Sequence, residues 1–423
     1  MLLRFEVANH RSVLRPAEFS MVAVDRNRAA TRGFDLLSER ILTVAGIYGP
    51  NASGKSNVLE ALAWLSTAVG NSLRDWADEV PRDPFRFIPG PSEPSVYDIQ
   101  MIASGVRYAY HVEVDDSEVL YESLYSYPER RRRILFERDG PDVDFRRGLG
   151  SALAGGTRML LTPTTLALSA ILRLNHPDVE PFARELAGLR TLNVGLTRTW
   201  RRGVRRVPVS SRQMTERIFM AGNPLSQELP ADDDDDHAIE RNLALELLRF
   251  ADLGIDDVRV VNDDNDREVW LSHRAGSEEL LFALSDESAG TRTWFNLIGP
   301  VLMAFRYGHV LLVDEIDARL HPRLSARLIE LFQDPVTNPR NAQMIFTTHD
   351  TSLLNHLNRD EVWLTEKGLD GATTLTALAE FGGDKVRRSL NLERAYLQGR
   401  FGAVPELDQV RLREVLGMLP EAY

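Results

Sequence analysis

Cysteine is absent from this 423-residue chain, which excludes disulfide frameworks, thiolate zinc sites and cysteine nucleophiles. Lysine is nearly absent too: of the 50 basic residues only Lys55, Lys367 and Lys385 are lysines, so arginine carries almost all positive charge. Acidic residues number 62 and bring the formal net charge to −12. That balance argues against a uniformly basic nucleic-acid binder and leaves only local basic patches. No window holds the roughly 18 consecutive apolar residues of a membrane span. The opening MLLRFEVANHRSV alternates apolar and charged residues instead of forming the apolar core of a secretory signal. The expectation is a soluble, cytoplasmic protein without a membrane partner, long enough for roughly two to three domains.

Period-two alternation predicts strands over Leu2–Val7 and Glu18–Val24, followed by a polar stretch from Asp25 to Arg40. Ile41–Tyr48 is a short apolar run followed by glycine, as expected of a strand buried on both faces. Val58, Leu62 and Leu65 recur at helical spacing and predict a helix from about Lys55 to Val69. Tyr97–Phe136 reads as an antiparallel meander with Asp-Asp-Ser and Pro-Glu turns. From about Gly150 to Leu253 the pattern is helical in short pieces broken by glycine and proline, none long enough for a coiled-coil arm. The run Asp232–Asp236 reads as a solvated loop before a helix starting near His237. After strands over Val258–Val261 and Glu268–Arg274, helix Ala289–Phe305, strand His309–Val313, helix Arg323–Phe332 and strand Gln343–Thr348 alternate, which predicts a largely parallel sheet. The expected division is an N-terminal half over 1–150, a mostly helical insertion over 151–255 and a C-terminal half over 256–423.

Four segments carry chemistry. Gly49-Pro50-Asn51-Ala52-Ser53-Gly54-Lys55-Ser56, followed by Asn57, satisfies GxxxxGK[ST] and lies between a predicted buried strand and a predicted helix. Its glycines let backbone N–H groups turn toward phosphate oxygens at a helix N-terminus. Lys55 can reach the β and γ phosphates, and the Ser56 hydroxyl can ligate magnesium. Val310–Val313 is an apolar strand that ends in Asp314 and Glu315. Two buried carboxylates side by side repel and need a cation. Asp314 is the expected metal-shell residue and Glu315 the residue that polarises the attacking water. Ile345–Thr348 is another apolar strand, ending in His349, the expected donor toward a γ-phosphate. Ser288 and Gly290 lie at a predicted helix start about 25 residues before the acidic pair, a second end suited to an anion.

Taken in this order, these segments resemble the ABC-type ATPase superfamily in its soluble branch, which includes SMC, RecF and the overcoming-lysogenization-defect proteins. Glu287–Thr291, ESAGT, is similar to the shortened signature of AAA-family ATPases associated with abortive infection and restriction. VDEIDARLHP, the early NHRSV and the tail NLERAYLQGRFGAVP add to the resemblance. It implies an α/β fold: an ABC-type P-loop ATPase head with a mixed central sheet, an antiparallel β-lobe and a helical insertion. It also implies ATP and Mg2+ as cofactors and a homodimer, or a higher homo-oligomer, that sandwiches two ATP molecules. The phosphate loop of one subunit would be completed by Ser288 and Gly290 of the other, and Arg11 would touch nucleotide phosphate. The signature lacks the double glycine and glutamine of the ABC pattern, and no lid glutamine is clearly placed; Gln100 is a candidate that stays outside the expected site.

The functional expectation is a magnesium-dependent ATPase whose ATP-gated dimerisation regulates a separate effector, a nuclease or toxin subunit, in bacterial antiphage defence. Related proteins of the overcoming-lysogenization-defect type append a Toprim nuclease; the residues after His349 contain no cluster of acids on successive strand ends, so a nuclease would be another chain. One alternative is a RecF-like DNA-binding ATPase of repair or chromosome maintenance. Arg130–Arg133 and the group Arg201, Arg202, Arg205 and Arg206, with Trp200 for stacking, would then meet nucleic-acid phosphate, although solvated turn arginines account for both clusters equally. Another is an ATP-bound assembly scaffold with little turnover.

Overall fold

The computed structural model describes residues 1–26, 28–34, 37–145, 151–195, 210–220, 234–252, 254–263, 266–276, 278–381 and 391–403. The chain opens with β1 (Leu2–Ala8) and β2 (Ala17–Ser20), then a small ribbon of β3 (Thr31–Gly33) and β4 (Arg40–Leu42). β5 (Val44–Tyr48) enters the interior and leads through the glycine loop into α1 (Lys55–Asp75). A meander follows: β6 (Ser95–Ala103), β7 (Val106–Val114), β8 (Val119–Tyr127), β9 (Arg133–Asp139) and β10 (Asp142–Phe145). It joins β1 and β2 in a seven-stranded antiparallel sheet of order β10-β9-β8-β7-β6-β1-β2. This is the β-lobe expected from the alternation.

The next stretch is helical in short pieces, as expected: α2 (Ser151–Leu160), α3 (Ala167–Arg173) and α4 (Glu180–Ala187), then the three-residue strand β11 (Arg190–Leu192), α5 (Ser211–Met220) and α6 (Asp234–Ala251). α6 begins inside the acidic run that was expected to be a loop. Aspartates in a first turn complement the positive end of the helix dipole, which favours the earlier start. Residues 232 and 233 lie outside the described residues. β12 (Ile255–Asp263), β13 (Asp266–Ala275) and β14 (Glu278–Ala283) form an antiparallel ribbon. Then come α7 (Ala289–Tyr307), β15 (Val310–Val313), α8 (Pro322–Gln333), β16 (Gln343–Thr347), β17 (Val362–Lys367), β18 (Thr373–Ala377) and α9 (Leu392–Leu397).

The second sheet is the centre of the molecule, with order β11-β15-β16-β5-β17-β18. It is parallel from β11 through β17 and ends in an antiparallel edge strand, β18. Its middle strands are buried on both faces, so successive residues feed two different cores. Ala45, Ile47, Leu312 and Ile345 pack with α1 and the lobe, while Val44, Tyr48, Leu311, Val313 and Phe346 pack with α7 and α8. That double burial is why these strands read as unbroken apolar runs. Gln343 ties the two sheets together: its side-chain oxygen accepts from the Leu2 N–H at 2.5 Å, and its amide donates to the carbonyls of Leu2 and Leu42.

Two expected strands have different limits. Glu18–Val24 ends at Ser20 because the chain turns away from β1 just after it: the Met21 N–H still bonds the Leu3 carbonyl, but the Met21 carbonyl accepts from the Leu42 N–H, and Val22 bridges to Ile41. Ile41–Tyr48 is divided at Thr43, since its first part pairs with β3 and its second belongs to the central sheet. Among the described residues no helix is long and apolar enough to cross a membrane.

Candidate functional site

β15, β16 and β5 are adjacent and parallel, so their C-terminal ends lie side by side along one edge. From those ends emerge, respectively, Asp314 and Glu315, Thr347 to His349, and the glycine loop. This is the crevice position at which parallel sheets receive ligands.

The loop has two glycines that nothing else could replace. Gly49 (φ 152°) and Gly54 (φ 104°) occupy backbone conformations that disfavour side chains. A Cβ on Gly49 would lie 2.5 Å from the Thr365 carbonyl oxygen, and one on Gly54 would lie 2.8 Å from Ser12 Oγ. The loop is tied down by three distant threonine and serine side chains. Ser53 Oγ and Thr365 Oγ1 are 2.6 Å apart, Thr373 Oγ1 donates to the Ser53 carbonyl at 2.7 Å, and Ser12 Oγ lies 2.7 Å from Thr373 Oγ1. α1 then starts at Lys55 without a side-chain cap; the Asn57 N–H bonds the Gly54 carbonyl at 3.0 Å, and the N–H groups of Lys55 and Ser56 are left to an anion. Lys55 Nζ donates to the carbonyls of Gly49 (2.9 Å) and Pro50 (3.1 Å). Burial pushes its pKa down, against the pull of Asp314, Glu315 and Asp317 toward the charged form.

Asp314 Oδ1 accepts hydrogen bonds from Ser56 Oγ at 2.9 Å and from Thr347 Oγ1 at 2.5 Å. The same Thr347 oxygen accepts from the Glu315 N–H at 2.8 Å. Segments from three strand ends are thus joined through one carboxylate oxygen. The expectation of two buried carboxylates is corrected: Asp314 is half-buried and Glu315 is exposed. β15 stops at Val313, and the backbone turns left-handed at Glu315 (φ 52°), which carries the second acid outward. His349 is also exposed and lies just beyond the end of β16. Its backbone N–H faces both carboxylate oxygens of Asp317 at 3.3 Å, and Thr348 Oγ1 donates to Asp317 Oδ1 at 2.7 Å. Asp317 therefore positions the histidine segment.

Arg11 sits beside this loop on α1's first turns. Its guanidinium donates to Asn57 Oδ1 at 3.1 Å and pairs with Glu60 and, at 3.6 Å, with Asp83. Past Asn57 opens a cavity of about 250 Å³ lined by Arg11, Ser12, Asn57, Phe85, Phe87 and Lys367, among others. Ser288 is the N-cap of α7, its Oγ accepting from the Thr291 N–H at 3.1 Å. A Cβ on Gly290 would lie 3.0 Å from the Arg319 carbonyl, so the signature turn packs on the segment that follows Glu315. Among the described residues no hydrogen bond joins Ser288 or Gly290 to residues 49–57 of the same chain. Gln100 belongs to β6, where its side-chain oxygen accepts from Arg107 at 2.6 Å. Arg130–Arg133 are exposed, with Arg132 over the Tyr125 ring at 4.0 Å and Arg133 3.5 Å from Asp178. The cluster Arg201, Arg202, Arg205 and Arg206, with Trp200, lies outside the described residues.

Asp317, Thr347, Thr365, Thr373 and Ser12 were missed as site residues by sequence reasoning. Asp317 lies within VDEIDARLHP and Ser12 within NHRSV, so both stood in segments already singled out. Thr347 likewise stood in the strand that ends at His349, whereas Thr365 and Thr373 had no local signal, since Thr373 reaches a partner 320 positions away.

Comparison with known proteins gives a sequence-family match and a set of structural likenesses. A family model described as AAA domain, putative AbiEii toxin, Type IV TA system matches residues 44–355. No curated protein matches the chain. Among solved structures, an SMC head bound to the C-terminal winged-helix domain of ScpA is 13% identical, with a TM-score of 0.44, covering 89% of this chain and 97% of that one. The SMC head domain from Thermotoga maritima is 11% identical, with a TM-score of 0.41 and coverage of 89% and 98%. The SMC head with an extended coiled coil bound to the C-terminal domain of ScpA, derived from Pyrococcus furiosus, is 12% identical, with a TM-score of 0.44 and coverage of 90% and 97%.

Proposed function

The chain belongs to the AAA-domain family described as putative AbiEii toxin of type IV TA systems, and from that membership we propose that it is a magnesium-dependent ATPase whose ATP-gated dimerisation regulates a separate effector, a nuclease or toxin subunit, in antiphage defence. The observation that carries the reading is the joining of Ser56, Asp314 and Thr347 at three parallel strand ends, directly beside a glycine loop whose Cβ positions are already filled.

The residues present fit a nucleoside triphosphate with its metal. Gly49 and Gly54 allow backbone approach, and the Lys55 ammonium is held by loop carbonyls that phosphate oxygens would replace. Ser56 Oγ and Asp314 are oxygen donors of the kind Mg2+ takes. Bound there, Mg2+ supplies positive charge against the β and γ phosphates. Lys55 binds the same phosphates, and Glu315, exposed at the mouth of the site, accepts a proton from the attacking water while the bond between the β-bridging oxygen and the γ-phosphorus breaks. His349, held through Asp317, donates toward the γ-phosphate oxygens as charge develops. The cavity past Asn57, beside Arg11, Phe87 and Lys367, offers room in which the nucleoside would lie. Because Glu315 and the Ser288 turn are not closed over the site within one chain, a second copy supplying Ser288 and Gly290 completes it.

The direct test is phosphate release and molecular mass with and without ATP. Nucleotide-dependent doubling of mass together with turnover supports the reading, and turnover by a strictly monomeric protein overturns the gating. A second reading, direct DNA clamping, draws on the exposed Arg130–Arg133 row. Binding of duplex DNA by the protein alone, weakening with salt and lost on replacing those arginines, would favour it.

A further inference from the structure

We propose that Asp252, His273 and Glu287 form a site for a divalent first-row transition ion, with Zn2+ the best match, that fastens the signature turn to the β12–β14 ribbon. The three residues come from three elements. Asp252 follows the last residue of α6, His273 lies within β13, and Glu287 lies between β14 and α7, immediately before Ser288. Their ligand atoms all lie within 4.8 Å of one another, and among the described residues this is the only histidine and carboxylate trio so arranged. His273 Nε2 and Glu287 Oε1 are 2.7 Å apart, with side chains 22% and 10% exposed. Tetrahedral zinc with ligands near 2.1 Å brings donor atoms to roughly 3.4 Å from one another. Small side-chain rotations span that difference.

The donor set selects the ion. One imidazole and two carboxylates suit Zn2+ and its first-row neighbours; without a thiolate the set does not suit Cu(I), and the nitrogen donor disfavours Mg2+. Support around the ligands is in place. The Gly254 N–H donates to Asp252 Oδ1 at 2.9 Å, and a Cβ on Gly254 would lie 3.3 Å from His273 Nδ1, so the backbone closes on both ligands. The Phe282 ring stands edge-on to the imidazole at 5.2 Å. Arg292 of α7 donates to the carbonyls of Ser285 and Glu287 and holds the ligand loop against the helix that Ser288 caps. Such outer contacts fix ligand orientation. The ion site stands independently of the nucleotide reading. Its consequence, that the ion sets the position of Ser288 for a partner's nucleotide, rests on that reading.

The experiment titrates Zn2+ into the full, tag-free chain after chelator treatment, without nucleotide or Mg2+, by calorimetry and thermal melting. About one equivalent should bind per chain and raise the melting temperature. His273→Ala and Asp252→Asn should each weaken binding at least tenfold. His111→Ala, which removes another imidazole flanked by carboxylates (Asp98 and Glu113), should leave it unchanged. Lys55→Ala should abolish nucleotide binding yet keep Zn2+ binding, which separates failure of one reading from failure of the other. Absence of saturable Zn2+ binding in the unaltered chain overturns the proposal. So does binding of equal affinity and stoichiometry in folded His273→Ala or, if that variant does not fold, in Asp252→Asn.

Discussion

The two large sheets divide the work of the chain. The central sheet is parallel and buried on both faces, and the candidate site lies at the C-terminal ends of β5, β15 and β16. The lobe sheet is antiparallel and buried on one face, with Tyr97, Tyr110 and Val112 inward and Asp98, His111 and Glu113 outward. A parallel sheet aligns strand ends, so residues far apart in sequence meet at one edge. An antiparallel meander alternates its ends and gathers side chains into rows across its open face. The reacting groups should therefore be confined to the first sheet, while the second acts through stability and surface and, by way of the β1–β2 connection, lends Arg11 and Ser12 to the edge of the glycine loop.

Glu315→Gln puts the sharpest strain on that division. Nucleotide binding should persist while turnover falls by about 100-fold or more, measured as phosphate release at saturating ATP. Near-normal turnover would remove Glu315 from its role at the strand end. Lys55→Ala acts earlier and should abolish nucleotide binding itself.

Stability should separate the regions next. Gly299 in α7 packs against α5, and a Cβ there would lie 2.5 Å from Thr215 N. Thr215 Oγ1 also accepts from the Gly299 N–H and donates to the Phe295 carbonyl, so it occupies the helix hydrogen bond just before Pro300. Gly299→Ala should cost about 1–3 kcal/mol in denaturant unfolding. Gly105→Ala, in a lobe hairpin with φ +75° and open space around it, should cost only about 1 kcal/mol of backbone strain. Equal costs would show that the α5–α7 contact yields around the added methyl and exacts no packing penalty at Gly299.

The same contrast explains what was legible. β5, β15 and β16 could be read because double burial demands continuous apolar runs, and each run is followed at once by chemistry-bearing residues: glycine, Asp314 and His349. β17 and β18 could not be read: Val362–Thr365 is a very short buried stretch, and β18 alternates weakly at a sheet edge. β14 escaped for the opposite reason, since its Leu280, Leu281 and Phe282 are apolar yet exposed. The exposure of Glu315 was also hidden, because it depends on one left-handed residue that no local pattern encodes. Two of the three hydroxyls that hold the loop, those of Thr365 and Thr373, belong to the unread strands, and they give the next test. Thr365→Val removes the contacts with Ser53 Oγ and the Tyr48 carbonyl. KM for ATP should rise several-fold, equivalent to about 1 kcal/mol, with kcat retained. A fall in kcat instead would mean that Thr365 acts on the reacting groups.

The smallest effect belongs to the lobe and should appear only as pH dependence. Burial lowers the His111 pKa, but hydrogen bonds to Asp98 (2.9 Å) and Glu113 (3.0 Å) more than offset it, and the net direction is upward. A histidine whose folded pKa is raised adds stability that is fully present below its unfolded value, near 6.5, and is lost as pH rises through the higher folded value. Unfolding free energy of the unaltered chain should therefore contain a component that declines from about pH 6.5 upward, and His111→Ala should flatten it. The partners are partly exposed and screened, so the difference should remain well under 1 kcal/mol. ATP turnover per folded molecule should be unaffected at every pH. If His111→Ala alters the pH profile of turnover, the lobe face is coupled to the strand ends, and the division of labour between the two sheets fails.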